Sequence, residues 1–330
     1  MPPTAAQFCF ELLKRQGLEN QQALQSIGLG VGLTRDLVRP QAAALAIHTP
    51  LGPIAGWSHG WVAPDRATND RQELWGALKA SPLVDALLLP WYGDTAIEAQ
   101  VGDDLTRCIL FGGCYEPNEM WFASQMIQAG DTVIDVGAHH GAWTLALAGM
   151  VGRHGTVVAM EPFADTYQRL SHNVTANGLA NIVCLNQAAL SAAGACSMEV
   201  GSPGHSGLTR ISSTTSGPQV AKPLDEVRDE LGRRVSFIKL DVEGSELLAL
   251  EGARRLLAQD RPAILCEVVD AALSHHGADA AGILAFFDQA GYTCGWIDEA
   301  VPSLRRSRRD SEYLLAVPRG NQAFERQVQP

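Results

Sequence analysis

The stretch Asp131-Thr-Val-Ile-Asp-Val-Gly-Ala-His-His-Gly-Ala-Trp-Thr-Leu145 constrains this chain more than any other. Val133, Ile134 and Val136 form the β-branched run expected of a strand buried on both faces. Gly137 and Gly141 permit a sharp turn where a ligand can approach bare backbone. A helix starting near Gly141 would aim its first amides at that ligand. Strand, glycine turn and helix in this order present a nucleotide-like molecule at the carboxyl edge of a doubly wound sheet. The turn is not a dinucleotide loop: Gly137-Ala-His-His-Gly141 lacks the glycine-x-glycine-x-x-glycine spacing, and no phosphate-binding lysine stands in it.

A second apolar run, Gly155 to Met160, ends in Glu161-Pro162, with Glu161 26 residues after Asp135. A carboxylate at the tip of a second strand can accept hydrogen bonds from both hydroxyls of a ribose. The plainer readings of Glu161 are a partner for the next helix N-terminus or a surface acid.

From about residue 116 the pattern alternates. Strands are expected at 131–136, 156–161, 181–186, 235–241 and 263–268, with helices at 118–129, 142–151, 164–177, 245–258 and 279–290. Such alternation implies a parallel sheet with right-handed crossovers. Two closing strands, 292–297 and 312–317, would add an antiparallel edge. Residues 195–222, rich in Ser, Thr and Gly, are expected to hold a hairpin near the ligand edge. Before the alternation, residues 1–30 read as helical, and 42–56 and 96–111 read as short strands or hairpins. The expected organisation is an N-terminal extension over 1–105 and a ligand-binding domain over 106–330.

The 330 residues carry a net charge of −11, which argues against a broad nucleic-acid-binding face. No run reaches the ~18 apolar residues of a membrane span, and the N-terminus has no signal-peptide pattern. Seven scattered cysteines without a Cys-x-x-Cys pair favour reduced thiols and a cytoplasmic location, and no zinc spacing is present.

An ordered set of segments then resembles the FkbM-type methyltransferases, a family that uses S-adenosylmethionine. The set comprises Gly113-Cys-Tyr-Glu-Pro117, Asp135-Val-Gly-Ala-His-His-Gly-Ala-Trp-Thr144, Glu161-Pro162, Asn173 with Asn177, and Asn186-Gln-Ala-Ala-Leu190. It ends with Phe237-Ile-Lys-Leu-Asp-Val-Glu-Gly-Ser-Glu246. This last segment matches a Lys-x-Asp-x-Glu-Gly-x-Glu signature, and the resemblance spans roughly 96–317. It departs at His139, where the family places asparagine.

The resemblance implies a class I, Rossmann-like α/β fold with a seven-strand sheet, and O-methylation of a hydroxyl on a sugar or natural product. By position, Asp135 and Gly137 would border the methionine end of the donor, with Ala138, His139, Gly141 and Thr144 completing that loop. Glu161 and Pro162 would meet the ribose, and Asn186, Gln187 and Ala188 the adenine or ribose. Glu116 would join the donor site from its segment before the first helix. Asp241, at the tip of the fourth strand, would face the transferred methyl.

A hydroxyl acceptor gains from a base within hydrogen-bond reach. Asp241 is the first choice, with Glu243 or His205 assisting; His139, His140 and Glu267 are further candidates. Asp241 and Glu243 have two other readings: bracing the turn around Gly244 through its amides, or holding a divalent cation. No metal is expected. Lys239 is expected to pair with a local acid, and Arg305–Arg309 to be a solvated loop. The N-terminal extension is expected to shape the acceptor pocket or form a homodimer contact, with Trp57, Trp61, Trp75 and Trp91 lining the pocket or filling its core. Methylation at nitrogen or carbon, and a non-catalytic donor-binding scaffold, are the competing functions.

Overall fold

The computed structural model describes residues 75–76, 78–80, 86–92, 95–112, 115–199, 210–212, 217–298, 303–308 and 311–329. The chain divides into two compact units, Met1–Pro117 with Pro203–His205, and the remainder from Asn118. In the first unit β1 (Ala86–Pro90) and β2 (Ala96–Gln100) form an antiparallel hairpin, followed by helix α1 (Asp104–Gly112). The expected strand or hairpin over 96–111 is therefore half helix. The Asp103 side chain caps it by accepting from the Leu105 amide at 3.2 Å. Trp75 and Trp91 are buried there as core residues. The expected elements at 1–30 and 42–56, with Trp57 and Trp61, lie outside the described residues.

The second unit is built on one sheet. Its long strands are β3 (Thr132–Val136), β4 (Thr156–Met160), β5 (Ile182–Leu185), β11 (Phe237–Leu240), β12 (Ala263–Glu267), β13 (Tyr292–Ile297) and β15 (Tyr313–Pro318). Their spatial order is β5-β4-β3-β11-β12-β15-β13, extended by the short β14 (Leu304–Arg305) and β16 (Val328–Gln329). β5 through β12 are parallel, and β15 runs antiparallel between β12 and β13. The chain runs outward from β3 to β5 and then returns to β11 on the other side of β3. That reversal makes β3 and β11 the switch point of the sheet, where such folds bind ligands. The central strands are wholly buried, which accounts for their continuous apolar runs.

Helices α2 (Pro117–Met126), α3 (Ala142–Val151), α4 (Ala164–Ala176) and α8 (Ala280–Gln289) fall where the alternation puts them. The helix expected over 245–258 is instead two, α6 (Glu246–Glu251) and α7 (Arg254–Asp260). The break has a cause in α5 (Leu224–Leu231). Its Asp225 amide takes the Gly252 carbonyl, and its carboxylate caps α7 by accepting from the Arg255 and Leu256 amides at 3.1 and 2.8 Å. The main core lies on this side of the sheet, with Leu250, Leu256, Ile283 and Phe287 packed on Ile238, Ile264 and Leu314.

The interval 195–222 holds short strands. β6 (Ala188–Ala189) and β7 (Gly194–Cys196) flank β10 (Gln219–Lys222), and β8 (Met198–Glu199) pairs with β9 (Arg210–Ile211) as a hairpin whose loop lies outside the described residues. Arg305 and Arg308 are not a solvated pair. Arg305 holds Asp298 at 2.5 Å, and Arg308 holds Asp270 and the Val268 carbonyl while lying 5.0 Å over the Trp296 ring. They staple the β13–β14 turn and the end of β12.

Candidate active site

Register fixes the site. Val136 sits opposite Met160 on one side and Leu240 on the other, so the residues that follow these strands, Gly137, Glu161 and Asp241, emerge side by side. The Gly137 and Ala138 amides both donate to the Met160 carbonyl at 3.0 Å, which bends the loop over β4. Gly137 has φ +82°, and a methyl there would overlap the Asp241 carbonyl oxygen. Only glycine lets β3 and β11 approach this closely. His139 also takes a left-handed conformation, φ 50°, and Gly141 then opens α3.

Asp135 lies on β3 with no exposed surface. Its Oδ2 accepts from the Thr144 hydroxyl at 2.6 Å, while Oδ1 is buried with no protein partner. Burial pushes this carboxyl up, against the Lys239 charge and the Thr144 hydrogen bond. Thr144→Val would strip the remaining hydrogen bond from a buried acid. We expect a loss of about 1–3 kcal/mol in stability, read by denaturant unfolding; an unchanged midpoint would show that the bond carries no weight.

Glu161 serves the protein itself. Oε1 accepts from the Phe163 amide at 2.9 Å and the Thr166 hydroxyl at 2.8 Å, which braces the start of α4, and Oε2 accepts from the His139 amide at 2.9 Å. Burial pushes its carboxyl up, and these three bonds oppose that shift. A carboxylate offers about four acceptor positions, so one direction remains for a ligand donor. Asn186 ties the β5 tip to β4 by donating to the Glu161 and Pro162 carbonyls at 2.8 and 3.1 Å. Gln187 follows with a buried Oε1 that has no hydrogen-bond partner. The Ala188 side chain is buried in a small cluster with Cys196, Ile211 and Ala221, so it offers a ligand backbone only.

His139 and His140 bond to each other, Nδ1 to Nδ1 at 2.6 Å, so one ring must donate to the other. Burial, with the neighbouring His139 and Arg169, holds His140 well below the usual histidine range and therefore neutral. Asn173 donates to the His140 carbonyl at 2.8 Å and so anchors the loop to α4.

The β11 tip carries the densest charge. Asp241 Oδ2 accepts from Lys239 Nζ at 2.8 Å and from the Tyr313 hydroxyl at 3.0 Å. Burial opposes its charge, but Lys239 and hydrogen bonds from Lys239, Tyr313 and Glu267 outweigh it and hold the carboxyl below the usual range. Oxygens of Asp241, Glu243 and Glu267 lie within 4.8 Å of one another. That spacing suits a divalent cation, but the Lys239 ammonium already supplies positive charge to Asp241. Glu243 holds a left-handed φ of 54°; burial and the Asp241 and Glu246 charges push it up to about 8. The turn amides are braced by neither Asp241 nor Glu243. Glu246 does this, accepting from Val242 at 3.0 Å and Gly244 at 3.1 Å.

Asp135, Gly137, Ala138, His139, Gly141, Thr144, Glu161, Pro162, Asn186 and Asp241 thus share one sheet edge, with Glu243 and Glu267 beside Asp241. Glu116, at a left-handed φ of 47°, belongs to the first compact unit, and His205 lies outside the described residues. Sequence reasoning missed Tyr313 altogether, because it reaches Asp241 across 72 residues of chain. It also missed the part played by Glu246, although the Lys-x-Asp-x-Glu-Gly-x-Glu signature contains it.

The methyltransferase FkbM domain matches residues 135–294, beginning at Asp135 and including every strand tip described above. Residues 135–294 are thus similar to an FkbM domain. The expected α/β sheet of seven long strands is present in the second unit, in the order β5-β4-β3-β11-β12-β15-β13. Among solved structures, the chain is similar to the FkbM methyltransferase of Methylobacillus flagellatus KT at 17% identity, covering 65% of this chain and 55% of that one, with a TM-score of 0.38. It is similar to an O-methyltransferase of Thermotoga maritima at 17% identity, covering 62% and 65%, with a TM-score of 0.38. The fibrillarin of Aeropyrum pernix, solved with natively bound S-adenosyl-L-methionine, matches at 13% identity over 58% and 68%, with a TM-score of 0.37. Among the described residues no helix is long and apolar enough to cross a membrane.

Proposed function

We propose that this domain transfers a methyl group from S-adenosylmethionine to a hydroxyl of a sugar or natural-product small molecule, with Asp241 as the base. One observation carries the reading: Gly137, Glu161 and Asp241 emerge from three register-matched strands at the switch point of the sheet. The residues fit such a donor. Asp135 Oδ1 is a buried acceptor with no protein partner, and Glu161 retains an acceptor direction suited to a ribose hydroxyl.

The donor supplies an electrophilic methyl on sulfur when bound. The acceptor oxygen forms the new bond to carbon as the carbon–sulfur bond breaks, its electron pair staying on sulfur. Asp241 takes the hydroxyl proton. Alignment of oxygen, methyl and sulfur by the two loops supplies the rest of the rate. Residues 1–105 are proposed to shape the acceptor pocket or a dimer contact, and Glu116 and His205 to approach the donor and acceptor respectively.

Transfer of a labelled methyl group from S-adenosylmethionine to a panel of hydroxylated sugars and polyketides, with matched amines, tests the reading. Label on a hydroxyl supports it. Label on nitrogen or carbon would replace it with the alternative chemistry, and donor binding without transfer to any compound would leave a scaffold. Because Lys239 already serves Asp241 as its cation, dialysis against EDTA is expected to leave the rate within about twofold. Loss of activity, restored by magnesium, would assign the three carboxylates to a metal instead.

A further inference from the structure

Three adjacent strands deliver a single polar cluster. Asp241 follows β11, Glu267 ends β12 and Tyr313 begins β15, where Glu267 and Tyr313 are paired in register. Lys239 lies two residues before Asp241, so both side chains leave the same face of β11. Lys239 is 3% exposed. Its strand partner on β3 is Asp135, and its ammonium sits 5.9 Å from the centre of the Trp143 ring. Lys239 and Tyr313 both bond the same oxygen of Asp241, Oδ2, which sets the carboxyl plane from two directions.

We propose that Lys239 and Tyr313 are positioning residues that keep Asp241 the ionised, oriented member of the carboxyl cluster, so that Asp241 rather than Glu243 or Glu267 receives the acceptor proton. The inference rests on the reading of Asp241 as the base and adds how that base is selected. The groups around it are Lys239 on its own strand, Asp135 from β3, Glu267 and the Cys266 thiol from β12, Tyr313 at β15, and Glu243 and Glu246 from the turn into α6, with Glu312 acting on Glu243. Among these, Lys239 is the cation that touches Asp241. Burial pushes Glu243 up to about 8, so at neutral pH it holds its proton while Asp241 does not. Two carboxyls whose environments separate them in this way take opposite roles in proton transfer.

The test is the pH dependence of kcat in Tyr313→Phe, Lys239→Met and Lys239→Arg, with donor affinity measured beside it. Asp241 acts as the anion, so activity is present above its pKa and lost as pH falls through it. Removing a partner that favours the anion moves that loss to higher pH. We expect the acidic midpoint to rise by about 0.5–1 pH unit in Tyr313→Phe and by about 1–3 in Lys239→Met. Lys239→Arg should return it towards the parent value. At pH above the limb, Tyr313→Phe should lower kcat, by less than Asp241→Asn does, with acceptor KM unchanged. A uniform fall in kcat at every pH, with the midpoint unmoved in both Tyr313→Phe and Lys239→Arg, would overturn the proposal. If Lys239→Met does not fold, the Phe and Arg variants decide the matter. Full activity of Asp241→Asn would remove the base itself, an outcome separate from unmoved midpoints in an enzyme that still needs Asp241.

Discussion

Asp241→Asn is expected to lower methyl transfer by about 10²–10⁴-fold, the usual contribution of a placed general base. The substitution keeps the shape of the side chain and its contact with the Tyr313 hydroxyl, but it removes the anion that accepts the proton. It also leaves the Lys239 ammonium, almost fully buried, without its carboxylate. Removing one partner of a buried pair costs about 3–5 kcal/mol, so the loss of rate must be read on protein shown to be folded and donor-bound. Steady-state kinetics beside donor titration separates the effects. Affinity for S-adenosylmethionine within about threefold of the parent and a collapsed kcat is the expected pair. A parent-like kcat would take Asp241 out of the chemistry, and Glu243 would become the next residue to test.

Gly137→Ala should damage both the fold and the site. The residue holds φ +82°, where a Cβ costs about 1–2 kcal/mol, and the added methyl would overlap the Asp241 carbonyl. Overpacking of this kind adds about 1–3 kcal/mol, for a total of about 2–5. The obstacle is backbone, which cannot swing aside as a flexible side chain does. Relief would require β3 and β11 to part at the switch point, displacing the loop that holds His139 against Glu161. We expect a drop in the thermal midpoint on the order of 10 °C and the loss of measurable donor binding. A variant with the parent midpoint and affinity would show that the two tips are not in the contact described.

The periodic part of this architecture was legible in the sequence. The buried runs of β3, β4 and β12 contain few polar residues, and the acids that follow β4 and β11 stand out against them. Parallel pairing then brings the tips together, because the paired last residues Val136, Met160 and Leu240 end at one level. What escaped reading depended on contacts distant in sequence. Tyr313 reaches Asp241 only because β15 inserts between β12 and β13, and no local spacing announces that. Glu246 braces the turn amides, a task equally open to Asp241 or Glu243 by composition; the turn's direction decides it. The break between α6 and α7 is imposed by Asp225 on another helix, so the helical pattern of 245–258 ran through it unmarked. Residues 104–112 mix apolar and polar positions in a way that serves strand or helix, and the Asp103 cap settles the choice. One plainer reading of Glu161, a helix N-terminal partner, is present in full, and the proposed ribose contact must share its carboxylate with Phe163, Thr166 and His139.

Isothermal titration of the purified chain with S-adenosylhomocysteine, repeated on Glu161→Ala, tests the shared edge most directly. One saturable site in the parent, with affinity lowered at least tenfold by the substitution in protein that remains folded, is the predicted result. No saturable heat in the parent, or an affinity indifferent to Glu161, would contradict the placement of an adenosyl ligand on the tips of β3, β4 and β11.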